Sequence, residues 1–238
     1  MQTSAPSQSA APSDLPSRLS DLPSRLLVKV CGMREAASLT AVADLEPDFL
    51  GFIFAPSSPR YVGEVLTPDL VRGLPDRVQR VGVFVNEATA QVLATAGRFG
   101  LSFVQLHGYE APAQCAELQA AGLRVIKAFG VGEDFDFDAL GPYVPHCDYF
   151  LFDAQGPAPG GNGRVFDWRV LENYPWPVPY LLAGGLRPEH AAVVRNLQLP
   201  GLVGIDLNSG LEIAPGVKDP ARVAVFLDGL GRVRNAAA

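Results

Sequence analysis

Four places in the sequence carry residue types suited to chemistry. Cys31 closes a short apolar run and is followed by Gly32. A thiol there acts as a nucleophile or base if its pKa is lowered. Buried in a core it is only packing, the usual fate of cysteine. Asp153 leaves the apolar stretch Tyr149-Phe-Leu-Phe152. A carboxyl at that point either caps the following loop or serves as a general acid. Gly184-Gly185 and Ser209-Gly210 end two further apolar runs. Glycine lets the backbone approach a ligand, and successive N–H groups donate to phosphate oxygens. One such pair reads as a tight turn; two at successive run ends point to an anion site.

These places are spaced by a regular alternation. Apolar runs rich in Val, Ile, Leu and Phe occupy 26–31, 48–54, 80–85, 102–106, 124–129, 148–153, 179–183 and 202–206. Most are continuous and not alternating, as expected of parallel strands buried on both faces. Helix-like stretches lie between them, clearest at 87–99 and 110–121. Pro68 and Pro188 mark helix starts, and 133–143 predicts only a short or irregular element. Eight units of about 25 residues predict an α/β fold, a closed (β/α)8 barrel. An open doubly wound sheet would need a glycine fingerprint after the first run, and Cys31-Gly-Met-Arg34 is not one. In a barrel, catalytic groups stand at the C-terminal ends of the strands, and the loops after the seventh and eighth commonly hold phosphate.

The chain has 238 residues, of which 48% are hydrophobic and 18% charged, enough for one sizeable core. Residues 1–25 differ in kind: seven Ser, four Pro, no aromatic residue and a near-tandem repeat, Asp14-Leu-Pro-Ser-Arg-Leu19 and Asp21-Leu-Pro-Ser-Arg-Leu26. This stretch predicts a flexible tail ahead of a single catalytic domain at 26–234, with residues 235–238 fraying. Nineteen basic against 25 acidic residues give a net charge of −6, a poor match to nucleic acid or an anionic membrane surface. No apolar run approaches the roughly 20 residues needed to span a bilayer. Three Cys without a Cys-x-x-Cys pair suit a reducing cytoplasm, and Cys115 and Cys147 read as structural. The three His are far apart and offer no metal-ligand spacing, and His146 and His190 read as surface residues.

Taken together, the motifs resemble the phosphoribosylanthranilate isomerase family over about 28–226. The resemblance rests on Lys29-Val-Cys-Gly-Met33, Gly51-Phe-Ile-Phe54, Ser58-Pro-Arg-Tyr61, Val81-Gly-Val-Phe-Val85, Gln105-Leu-His-Gly108, Gly160-Gly-Asn-Gly163, Phe166-Asp-Trp168, Ala183-Gly-Gly-Leu186 and Ser209-Gly-Leu-Glu212. Each is weak alone; their order is specific. Asn162 stands where the family's loop usually has Thr. The resemblance implies an Amadori rearrangement of an aminoaldose to an aminoketose in tryptophan biosynthesis, without cofactor or metal. It implies Asp153 as acid, Cys31 as base and Arg60 as partner of the anthranilate carboxylate. Gly184, Gly185, Ser209 and Gly210 would hold the phosphate, and His107 and Asp206 would line the site. The implied partner is a small phosphorylated substrate; the oligomeric state is left open. Three alternatives compete: a histidine-pathway barrel isomerase, which has Asp where this chain has Cys31; a non-catalytic sugar-phosphate binder; and a redox protein built on Cys31.

Overall fold

Eight of the apolar runs form the strands β1 (Leu27–Val30), β2 (Phe49–Ile53), β3 (Gln79–Phe84), β4 (Phe103–Leu106), β5 (Arg124–Val131), β6 (Tyr149–Ala154), β7 (Tyr180–Leu182) and β8 (Leu202–Leu207). Neighbours pair in parallel, and β1 pairs with both β2 and β8, so the sheet closes into a (β/α)8 barrel. The computed structural model describes residues 25–63, 65–154 and 166–232. The expected tail up to residue 24, the motif at 160–163 and the C-terminal 235–238 lie outside the described residues.

The helices α1 (Ala36–Ala43), α2 (Pro68–Arg72), α3 (Thr89–Phe99), α4 (Pro112–Ala120), α5 (Ala191–Arg195) and α6 (Pro220–Gly229) surround the barrel. Pro68 opens α2 behind Thr67, whose hydroxyl accepts from the Leu70 amide. Pro220 opens α6 behind Asp219 in the same way. The weak element after β5 is a 3-10 helix, Phe137–His146, with Pro142 and Pro145 inside it. Each Pro removes a backbone donor, which bars a regular α-helix there. A second 3-10 helix, Trp168–Asn173, precedes β7, and a third, Pro188–His190, runs into α5. A small antiparallel hairpin follows β8, made of β9 (Glu212–Ala214) and β10 (Val217–Lys218). The sequence did not signal it, because strands of three and two residues leave no periodicity.

Strand alternation divides the apolar residues into two layers. Val28, Val30, Leu50, Phe52, Phe150 and Phe152 face the helices. Phe49, Val81, Phe103, Ile126, Leu151 and Leu181 fill the barrel interior. Phe103 meets Phe49 edge-to-face with centroids 5.2 Å apart, and the Arg124 guanidinium lies 4.5 Å from the Phe103 ring. This floor packs the N-terminal end of the barrel. Cys115 on α4 and Cys147 just before β6 are fully buried, in the packing positions expected of them. On the same N-terminal face, Asp48 accepts the Val28 amide at 2.7 Å and pairs with Arg25 at 2.8 Å and with Arg232. No helix among the described residues is long and apolar enough to cross a membrane.

Phe103→Ala is expected to lower the unfolding free energy by about 3–5 kcal/mol, measured by denaturant titration, with the loss concentrated in stability because the residue lies at the end opposite the cavity described next.

Candidate active site

A cavity of about 360 Å³ opens at the C-terminal ends of the strands. Cys31, at the end of β1, stands on one side of it among Ile53, Ala55 and Val83, an apolar wall. Asp153, within β6, stands near His107, with Asp153 Oδ2 3.7 Å from His107 Nε2. Gln105 Nε2 lies 2.7 Å from His107 Nδ1, and His107 Nε2 is the nitrogen that faces Asp153. Arg60, Gly184, Gly185, Asp206, Ser209 and Gly210 also line the cavity. All the residues singled out in the sequence for the site are therefore brought to one place.

The glycine loops are shaped by steric necessity. Gly184 and Gly185 both have positive φ, 98° and 59°, where a side chain is strained. A Cβ on Gly210 would lie 2.0 Å from the Leu186 carbonyl oxygen, so the loops after β7 and β8 touch. Among the described residues, no turn or loop hydrogen bond uses the Gly184, Gly185 or Ser209 amide.

Several residues that the sequence reading passed over shape the electrostatics. Lys29, fully buried, donates to Asp206 Oδ1 at 2.9 Å. Burial works against the Lys29 ammonium, but Asp206 and Cys31 outweigh it and raise its pKa above the ordinary 10.5. Burial also pushes the Cys31 thiol up, against the pull of the Lys29 and Lys218 ammonium groups. The condition read from sequence, a lowered thiol pKa, is thus not met: desolvation exceeds the attraction of the two lysines. Burial raises Asp206 as well, opposed by Lys29. Arg60 is held by a bidentate pair, Nε to Glu212 Oε1 at 2.8 Å and Nη2 to Oε2 at 2.7 Å. Lys218, buried on β10, donates to Glu212 Oε1 at 2.5 Å and to Asn208 Oδ1 at 2.9 Å. Burial lowers the Lys218 pKa, while Arg60 and Lys218 together hold Glu212 below its ordinary value despite partial burial. Lys29 had a visible signal, a lone charge inside an apolar run. Glu212 stood only at the end of the motif Ser209-Gly-Leu-Glu212, and Lys218 had no signal, since its partners are brought up by the hairpin.

The fold is thus a closed (β/α)8 barrel with a thiol, a carboxyl and an imidazole lining one cavity at the C-terminal ends of its strands. The N-(5'-phosphoribosyl)anthranilate (PRA) isomerase family matches the chain over residues 28–229. The chain belongs to that family and is an isomerase of tryptophan biosynthesis. An N-(5'-phosphoribosyl)anthranilate isomerase of Phocaeicola vulgatus is 44% identical over 205 residues, covering 86% of this chain and 98% of the relative. One from Paracoccus denitrificans is also 44% identical over 205 residues, covering 84% and 94%. Among solved structures, phosphoribosyl anthranilate isomerase from Thermotoga maritima superposes with a TM-score of 0.76 at 32% identity, covering 87% of this chain and all of that one. A second superposes with a TM-score of 0.73 at 30% identity over 87% of this chain and all of that one; it is a complex with reduced 1-(o-carboxyphenylamino)-1-deoxyribulose 5-phosphate.

Because the folded pKa of Glu212 lies below its ordinary 4.5, its pairing stabilises the fold above about pH 4.5, and that contribution is lost as pH falls through the folded value. Glu212→Gln should therefore lower Tm at pH 7, and the gap to the parent protein should shrink as pH falls below 4.5; a gap that stays constant down to the acid limit of folding would show that Glu212 does not carry this ionisation.

Proposed function

We propose that the isomerisation is an Amadori rearrangement with Asp153 as acid and Cys31 as base. The observation that carries this reading is that both side chains face a single cavity of about 360 Å³. Asp153 protonates the furanose ring oxygen as the nitrogen lone pair forms C1=N and the C1–O bond breaks. The product of this step is a protonated Schiff base. Cys31 then takes the C2 proton, the electron pair moves to C1=C2, and an enolamine results. Protonation at C1 and loss of the C2 hydroxyl proton give the ketone. Each step is a bond cleavage or proton transfer, so the reading assigns no cofactor and no metal. The cationic Schiff base both acidifies C2 and favours the neighbouring thiolate, which offsets the burial that otherwise raises the thiol.

The substrate's two anions need two donor sets. Arg60 presents its Nη1 end, left over from the Glu212 pair, to the anthranilate carboxylate. The amides at Gly184, Gly185, Ser209 and Gly210 take the phosphate. Asp206 and His107 line the space between. Residues 26–234 form the catalytic domain in this reading, with Arg25 held against it by Asp48, and the chemistry does not use the residues ahead of Arg25. All three cysteines are thiols, which suits the cytoplasm.

Cys31→Ser and Asp153→Asn should each lower kcat by about a hundredfold or more while binding of a reduced product analogue is kept. Near-normal turnover, followed by the loss of substrate fluorescence, would sink the role of the residue concerned. Arg60→Ala should weaken substrate binding by about ten- to hundredfold and leave inhibition by inorganic phosphate in place. Gly185→Val should abolish that inhibition, and the opposite pattern would mean that the two ends of the substrate are exchanged.

A further inference from the structure

More charge surrounds Cys31 than the acid–base reading uses. Lys29 lies two residues earlier on β1, on the same inward face of the strand. Its Nζ donates to Asp206 Oδ1 at 2.9 Å, and the alternation of the strand sets it on the side of the barrel to which Cys31 also belongs. Neither Lys29 nor Asp206 is needed to fill space. Other inward positions of the barrel carry Val81, Ile126 and Leu181, and an apolar pair is commonly as stable as a buried ion pair.

We propose that Lys29 is a positioning residue whose ammonium, anchored by Asp206, is fixed beside the Cys31 sulfur and stabilises the thiolate formed when that sulfur takes up its role as base. The proposal rests on the reading of Cys31 as the base. The other charges facing the sulfur come from separate elements. Asp206 stands on β8, Lys218 on β10 and Arg60 in the loop after β2, with Glu212 of β9 joining the last two. Across the cavity, Asp153 and His107 face Asp206. On the near side, three cations meet two anions, and a thiolate completes the balance. Within the pair, Lys29 favours the thiolate and Asp206 opposes it. Removing one or the other must therefore move the sulfur in opposite directions, which loosened packing would not do.

The test is the pH dependence of Cys31 alkylation by iodoacetamide in the full chain, read on the Cys31 peptide by mass spectrometry to separate it from Cys115 and Cys147. Lys29→Met should raise the alkylation midpoint by about one pH unit or more. Asp206→Asn, whose amide oxygen still accepts from Lys29 Nζ while the negative charge is removed, should lower it, and the acidic limb of kcat/KM should follow the same order in both variants. An unchanged or lowered midpoint in Lys29→Met, or one that does not fall in Asp206→Asn, overturns the proposal. If Lys29→Met does not fold, the direction in Asp206→Asn decides alone. Alkylation reports the sulfur whether or not it is catalytic. Shifts of the expected sign beside a fully active Cys31→Ser would therefore overturn the base assignment and not the charge placement.

Discussion

Lys29 and Asp206 meet where the last strand of the barrel is hydrogen-bonded to the first. They are direct register partners across the β1–β8 seam, so closing the sheet brings the two charges together. Buried without each other, either would be costly; joined, they tie barrel closure to the polar part of the interior. Below the pair lies the floor around Phe49 and Phe103, and above it open the cavity and Cys31. The register of one strand pair thus decides at once whether the barrel shuts, where its apolar filling stops and which charge stands beside the thiol.

The opposite boundary of the site depends on a small addition to the barrel. The hairpin after β8 carries Glu212 and Lys218, and Glu212 fixes the Arg60 guanidinium by a two-point contact. Lys218 is in turn seated by its backbone, which exchanges hydrogen bonds with the Ser38 hydroxyl on α1. An arginine in a loop is ordinarily mobile; here its fork is aimed by a carboxylate that two cations compete for. The Arg60 side of the cavity is therefore backed by the hairpin and, through Lys218, by α1, elements widely separated in the chain from the loop after β2.

Much of this was legible in the sequence, for a physical reason. Strands buried on both faces must be apolar throughout, so runs such as 48–54 and 148–153 announce themselves, and the position of Cys31, Asp153 and Gly184 at run ends followed. The helices were less legible. Pro142 and Pro145 turn the segment after β5 into a 3-10 helix, and 3-10 turns have no strong apolar period. The charge network was least legible. Lys29 and Asp206 are 177 positions apart, and Arg60 and Glu212 are 152 apart. Pairings made only by closure and by a hairpin leave no local pattern.

Asp48 joins Arg25, ahead of the first strand, and Arg232, after the last helix, to the amide of Val28. Both ends of the described barrel are therefore neighbours, on the face turned away from the cavity. Linking them directly and opening the chain at another loop on that face would keep every strand neighbour and leave the mouth of the site untouched. The same geometry lets a second domain be fused at either end without standing in the path of substrate, so the architecture tolerates rearrangement of its gene where the chemistry does not.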